Sequence, residues 1–348
     1  MSWTLTALEL PLRYVWKIAR NEASTKTNFV IALSRQGHTG QGEAAPNVRY
    51  GETPAALKTQ FQALLAAGLD QVNSLAELDE LLAARPVAHA LSFALEAALT
   101  HWLAARAGQP VWQLLGALAP ARRLPTAFSL PIMPPSEVAE FLREQRAARF
   151  SPLKIKLNQT EGLDLLREVS RALPGHPLLL DGNEAWPDAD SLLAFLEQAA
   201  ALPGLNVRLL EQPLPAAATA DYRALRPRSP YPLVADESVT DTADFAEIAR
   251  QFHGVNVKLM KAGGYRRGLS LLRQTRAHGL LPMLGCMVET SLGIWSALQI
   301  STLAEVHDLD GMLIVRDEPF GLVREVGGQL EAVAPQGRAT ASAAHPGL

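Results

Sequence analysis

From residue 153 onward the chain repeats one pattern: a short apolar run that stops on a charged or small polar residue. The runs are Leu153 to Lys156, Leu178 to Asp181, Val207 to Glu211, Leu233 to Asp236, Val255 to Lys258 and Leu281 to Cys286. Five charged ends, Lys156, Asp181, Glu211, Asp236 and Lys258, follow one another at intervals of 25, 30, 25 and 22 residues. Each interval accommodates one strand, one helix and two loops, and Leu163 to Leu173 and Gly268 to Leu280 have the periodicity of amphipathic helices. Fully apolar runs this short suit parallel strands covered on both faces. Their alternation with helices predicts an α/β fold of βα units. In a closed barrel of such units, every one of those charged ends would stand on the C-terminal rim and point to one centre.

The first part of the chain has another texture. Trp3 to Leu10 and Thr27 to Leu33 alternate as strands do, with a Gly-rich turn expected at Gly37 to Gly42 and an irregular polar stretch from Lys17 to Ala23. A loop from Pro46 to Thr53 ends in a threonine placed to cap a helix. Helical sequence then runs from Pro54 to about Gly116. The expected organisation is an α+β unit over 1–118 and a barrel over 119–311. Residues 312–331 are expected to return to the first unit, and 332–348, rich in Ala, Gly, Pro, Ser and Thr without period, to form a mobile tail.

Composition narrows the chemistry. Among 348 residues, 32 Lys plus Arg against 35 Asp plus Glu give a net charge of -3, which argues against a nucleic acid or an anionic membrane as partner. A single cysteine, Cys286, excludes an intrachain disulfide framework and a multi-thiolate zinc site. No secretory signal or transmembrane run is legible. The expected setting is cytoplasmic, and the sequence leaves room for a homo-oligomer.

Singly, an Asp after a strand is ordinarily a helix cap, and a Glu or Lys there a solvated rim residue. Repetition is what changes the reading. Three acids at successive strand ends repel one another unless a cation lies between them. Oxygen-only ligation by Asp181, Glu211 and Asp236 suits a hard divalent ion, Mg2+ above all. Of Lys154 and Lys156, only one is expected to aim squarely inward. Lys156 is the candidate for the reaction centre, with Lys154 beside the metal or a substrate carboxylate. Lys258 lies at the end of a strand four units later, flanked by Val257 and Leu259, whereas Lys261 precedes Ala262-Gly263-Gly264 and reads as a loop or surface residue. Positive neighbours are expected to lower the lysine pKa and free an amine. Lysines on opposite sides of one carbon can remove a proton from one face and return it to the other, inverting a stereocentre. Asp308 and Asp310, where an eighth strand would end, would bind a cation such as a substrate ammonium, and Arg20 could clamp a substrate carboxylate.

Taken in order, Lys154-Ile155-Lys156, Asp181 to Trp186, Leu210 to Leu214, Ala235 to Ser238 and Asn256 to Gly264 resemble the muconate-lactonizing subgroup of the enolase superfamily. Leu284 to Met287 and Asp308-Leu309-Asp310-Gly311 resemble its dipeptide epimerases. The resemblance runs from about Leu10 to about Pro319, with Gly182 standing where the family usually has Ala. It implies a modified (β/α)7β TIM-like barrel with an α+β capping domain, metal ligands at Asp181, Glu211 and Asp236, and acid/base lysines at Lys156 and Lys258. It further implies that Asp308 and Asp310 hold a dipeptide's ammonium and Arg20 the side-chain carboxylate of its Glu. Ser129 would be a lesser substrate contact, and the loops around Arg20 and Arg49 to Glu52 would close over the site. The implied reaction is Mg2+-dependent interconversion of L-Ala-L-Glu and L-Ala-D-Glu, from cell-wall murein peptide.

Other readings explain less. N-succinylamino acid racemase, o-succinylbenzoate synthase or muconate cycloisomerase would use the same metal and lysines, but their substrates carry no free ammonium for Asp308 and Asp310. A dipeptide epimerase for a hydrophobic second residue differs only in loops that the sequence does not place. A Schiff-base aldolase with Lys258 as nucleophile leaves the three acids without a role. A hydrolase barrel lacks paired histidines, and no nucleotide-binding glycine motif is present.

Overall fold

The computed structural model describes residues 2–333; most of the tail expected to be mobile lies outside the described residues. The chain opens with an antiparallel sheet of β1 (Ser2–Lys17), β2 (Glu22–Arg35) and β3 (His38–Ala44). The expected turn over Gly37 to Gly42 is confined to Gln36 and Gly37, both at positive φ, as a two-residue hairpin between twisted strands requires. The other two glycines of that stretch belong to β3, and their role is packing. A Cβ at Gly40 would lie 2.0 Å from the Ala98 carbonyl oxygen and one at Gly42 2.1 Å from that of Ala94. Bare glycine lets α3 (His89–Ala107) lie directly on the sheet. Thr53 caps α1 (Pro54–Ala66), accepting from the Ala56 N–H, and α2 (Leu75–Ala84) completes the helical layer.

After β4 (Leu124–Pro125) come eight parallel strands: β5 (Phe128–Leu130), β6 (Leu153–Lys156), β7 (Pro177–Asp181), β8 (Asn206–Glu211), β9 (Leu233–Ala235), β10 (Gly254–Lys258), β11 (Leu281–Gly285) and β12 (Val306–Asp308). They pair in chain order, and the Ala127 N–H donates to the His307 carbonyl at 2.9 Å across the seam between first and last. This nearly closed barrel is the expected α/β architecture. Ala127, Leu179, Leu209, Val234 and Met283 form a buried cluster inside it. Because side chains two apart share a face, the residue two positions beyond each of the middle three stands above this layer on the rim: Asp181, Glu211 and Asp236.

The two halves are joined at a helix end. Thr290 caps the helix Ser291–Leu298, and the Glu43 carboxylate, from β3, accepts from the Thr290 N–H and hydroxyl and the Gly293 N–H at 2.6–3.1 Å. An acid there meets the N-terminal orphan donors and the helix dipole. Further on, Val315 bridges to Leu12, and Arg316 N–H donates to Pro11. The hairpin β13 (Val323–Val326) and β14 (Gln329–Ala332) then adds to β4. Among the described residues, no helix is long and apolar enough to cross a membrane.

Candidate active site

The C-terminal rim carries a dense cluster of buried charge. Register alone places Lys156 opposite Asp181 and Asp181 opposite Glu211, with Asp236 just past the end of β9. Lys156 Nζ donates to Asp181 at 2.6 Å, and Lys154 Nζ lies 2.9 Å from Asp181, 2.8 Å from Glu211 and 2.7 Å from Asp308. Both lysines of β6 therefore face inward. The expectation that only one would do so fails because residues i and i+2 of a strand lie on the same side.

Across the barrel, four strands from β6, Lys258 Nζ donates to Asp236 at 2.9 Å. Lys261, read from the sequence as a loop or surface residue, is instead fully enclosed. Its ammonium lies 2.6 Å from the Asp236 carboxylate and donates to the carbonyls of Asp236, Val239 and Asn256. The one turn of helix over Leu259–Ala262 folds it back under the rim, which a loop reading of the following glycines conceals. Asn256 is another residue the sequence left without a role, and its amide donates to Glu211 at 2.9 Å. The signal for it was positional, two before Lys258 on the same face.

Burial alone would raise every one of these carboxyl groups, and the neighbouring charges decide which stay ionised. Lys154 and Lys156 hold Asp181 below the ordinary range, and Lys258 and Lys261 hold Asp236 well below it. Glu211 is pushed up to about 7 by burial, which Lys154 only partly offsets, and by Asp181 and Asp236. Burial alone would lower Lys258, but Asp236, with Glu211 and Asp181 behind it, raises it instead. The lowering expected from the sequence counts a metal ion among the neighbours, whereas the carboxylates by themselves act on Lys258 in the opposite direction.

Three residues just beyond these strand ends, Asn183, Glu184 and Gln212, hold positive φ, conformations that cost energy outside glycine. They re-aim the chain so that the Asn183 N–H meets Asp181 and the Gln212 side chain receives the Asp236 and Ser238 N–H groups. Gly182 is forced. A Cβ there would lie 2.6 Å from the Pro213 backbone, so this chain cannot carry the family's usual Ala without moving that loop.

At the seam, Asp310 accepts from the Ser129 N–H at 2.6 Å and is pushed up to about 6 by burial and by Asp308. Asp308 gives one oxygen to Lys154, while its Oδ1 is buried without a partner among the described residues. Lys154, Ser129, Asp308 and Asp310, each expected separately as a substrate contact, come together at one corner.

A cavity of about 250 Å³ opens above the cluster, lined by Ser129, Lys154, Lys156, Asp236, Lys258 and Asp308 below and by the first unit above. Arg20 reaches it from the loop between β1 and β2, but its guanidinium is engaged. Nη1 donates to Glu184 at 2.8 Å and to the Asn183 carbonyl, and Nη2 donates to Glu237 at 2.7 Å. Arg49, from the loop after β3, binds the same Glu184 through two parallel bonds of 2.8 Å. Neither Glu184 nor Glu237 has a role legible in the sequence. Their nearness to Asp181 and Asp236 was visible, but the loops they would meet were not.

The donor set fits a hard cation. Three enclosed carboxylates converge, and Glu211 Oε2 and Asp236 Oδ1 lie near ammonium groups yet accept no well-formed hydrogen bond. Among the described residues no three acidic, histidine or cysteine side chains close tightly enough to cage an ion by themselves. Ammonium groups bridge the acids instead, and any ion would share their charge with Lys154.

Residues 137–346 match the family model described as enolase C-terminal domain-like. The chain is 33% identical to the L-Ala-D/L-amino acid epimerase of Pedosphaera parvula over 94% of its own length and 95% of the relative's. To the L-Ala-D/L-Glu epimerase of Escherichia coli it is 32% identical, over 86% of this chain and 90% of that one. Among solved structures it superposes, with a TM-score of 0.85 and 27% identity, on an enolase family member from Agrobacterium tumefaciens with homology to dipeptide epimerases. That match covers 96% of this chain and 98% of the other, which was solved with sodium and L-Ala-L-Glu. On the matched domain and on identity sustained over nearly its whole length, the chain belongs to the enolase superfamily.

Proposed function

We propose that this protein is a Mg2+-dependent dipeptide epimerase that inverts the α-carbon of the second residue, interconverting L-Ala-L-Glu and L-Ala-D-Glu. The observation that carries the reading is the pair of lysines Lys156 and Lys258 on strands four apart, and therefore opposed, in an eight-stranded barrel. In one direction the amine of one lysine takes the α-proton and the ammonium of the other delivers a proton to the opposite face. In the reverse direction they exchange roles.

The ligands of this reading are Asp181, Glu211 and Asp236. A divalent ion held there supplies positive charge for the substrate carboxylate that becomes electron-rich when the α-proton leaves. Lys154 balances the acids on the other side. The free Asp308 Oδ1, with Asp310 and Ser129 beside it, suits the dipeptide's α-ammonium, a group that N-succinylamino acids lack. Residues 1–118 act as the cap over a barrel of 119–311, and Arg20 and Arg49 hold its loops down on Glu184 and Glu237. The Pedosphaera parvula and Escherichia coli relatives are named for L-Ala in the first position, which supports alanine there in this reading. A cytoplasmic role on murein-derived dipeptide completes the reading.

Exchange of the α-proton in heavy water, followed by NMR with Mg2+ present, tests it. L-Ala-L-Glu should take up deuterium at the second residue and yield the L-Ala-D-Glu diastereomer. Uptake restricted to N-succinylamino acids would transfer the chain to the racemase reading.

A further inference from the structure

Six cationic side chains line the cavity: Arg20, Lys26, Arg49, Lys154, Lys156 and Lys258. Five of them are paired with carboxylates at 2.6–2.9 Å. The Lys26 side chain forms no ion pair or hydrogen bond among the described residues. Its position is fixed by β2, where it pairs with Leu10. Two residues on and on the same face, Asn28 is fully buried, and its amide donates to the Val288 carbonyl of the barrel at 3.0 Å. That face of β2 therefore looks across the cavity towards the barrel. Lys26 stands one step nearer the mouth formed by the loop of Arg20 and Asn21.

We propose that Lys26 is the specificity-determining cation of this pocket, meeting a carboxylate on the side chain of the substrate's second residue. The inference rests on the dipeptide reading above and differs from it in which residue selects the acid. Arg20 was the expected clamp, yet at the lip of the cavity Arg20 and Arg49 are balanced by Glu184 and Glu237, leaving no net charge there. A carboxylate entering that lip must displace an existing ion pair, whereas one reaching Lys26 fills a vacant valence. Burial without an anion lowers the Lys26 pKa from its ordinary value, and a bound carboxylate would restore it. The other two charged groups of a dipeptide already have places: the ammonium at Asp308 and Asp310, and the α-carboxylate at the rim.

A lysine suits this task in a particular way. Its ammonium is a point charge on a flexible stem, so it separates charged from neutral side chains while tolerating a change of one methylene. Glu and Asp at the second position should therefore both be accepted, and Gln disfavoured. A charge-assisted hydrogen bond in a half-buried site corresponds to about tenfold to a hundredfold in apparent affinity.

The test compares deuterium exchange into L-Ala-L-Glu, L-Ala-L-Gln and L-Glu-L-Ala by the wild-type protein, Lys26→Met and Lys26→Arg, with thermal melts to confirm folding. The wild type should favour L-Ala-L-Glu over L-Ala-L-Gln. In Lys26→Met the Glu-to-Gln ratio of kcat/KM should fall at least tenfold, chiefly through KM, and Lys26→Arg should recover most of it. An unchanged ratio in a folded Lys26→Met variant, or a loss confined to L-Glu-L-Ala, overturns this assignment and leaves the epimerase reading standing. A wild-type protein that exchanges none of the dipeptides overturns both.

Discussion

The two walls of the cavity are built on different principles. The floor is the barrel rim, where Lys154, Lys156, Asp181, Glu211, Asp236 and Lys258 stand on or just past strand ends, are at least nine-tenths buried and lie 2.6–2.9 Å from an opposite charge. The roof is the lip of the first unit, where Arg20 and Arg49 hang from loops and cross to Glu184 and Glu237 while keeping side chains 29% and 36% exposed. A strand end places an atom within the tolerance that proton transfer requires, whereas a loop can open to admit a substrate and vary to choose it. On the dipeptide reading, proton transfer belongs to the floor and admission of substrate to the roof, with selection at Lys26 on β2 behind the lip, and each wall can be disturbed separately.

The floor should give the largest effects. Lys156→Ala and Lys258→Ala should each reduce epimerisation by about 10³-fold, the scale of a lost general acid or base. Each should still permit exchange without inversion from the one diastereomer whose proton the surviving lysine reaches. Chiral separation of the product after incubation in heavy water reads both quantities. If both variants favour the same diastereomer, the lysines are not opposed.

Next is the charge balance among the acids. Lys154 sits among Asp181, Glu211 and Asp308, and removing one partner from a buried ionic cluster typically costs about 3–5 kcal/mol. Lys154→Met should therefore lower the melting temperature markedly in chelator. Added Mg2+ should recover more stability in the variant than in the wild type, because the ion then supplies the missing charge. Equal stabilisation of both proteins by Mg2+ would mean that the ion and Lys154 do not share the same carboxylates. In the wild type, chelation alone should abolish exchange and Mg2+ restore it.

The same contrast explains what could be read from the sequence. Asp181, Glu211, Asp236 and Lys258 were legible because period-two strands in repeated βα units force strand ends onto one rim, so spacing carried three-dimensional information. Lys261 was lost because a single helical turn after β10 reverses the chain, and nothing in Leu259-Met260-Lys261-Ala262 distinguishes that from a loop. Gly40 and Gly42 were misread as a turn because close approach of a helix and a tight bend ask for the same residue. Glu184 and Glu237 were hidden for a further reason. Their partners come from loops more than 130 residues away in the chain, and the contacts depend on how the first unit docks.

The latch at the roof should give an intermediate effect. Glu184 receives both arginines and the Ala216 N–H, so Glu184→Gln weakens the hold on two loops at once while leaving the rim intact. KM for L-Ala-L-Glu should rise about tenfold with a smaller change in kcat, as expected when closure rather than proton transfer is impaired. A fall in kcat with KM unchanged would move Glu184 from the roof into the chemistry.

The smallest effect is expected where the walls join. Glu289 lies at that seam, its carboxylate accepting from the Met287 N–H and packed against Gly293, where a Cβ would lie 2.3 Å from Oε2. Burial, and after it the charge of Glu43, pushes Glu289 up to about 8, against 4.5 for the ordinary group. Between those two values the folded chain keeps a proton that the unfolded chain has released. Stability therefore falls as pH rises through that window, and the cost is complete above it. The slope from this one group cannot exceed about 1.4 kcal/mol per pH unit. Glu289→Gln keeps the shape and carries no titrating proton, so its advantage over the wild type in urea unfolding should be larger at pH 8 than at pH 5. Exchange activity at a fixed pH should change far less than in any variant of the floor. An advantage equal at both pH values would mean that Glu289 is ionised throughout, and that the seam holds two carboxylates by hydrogen bonds alone.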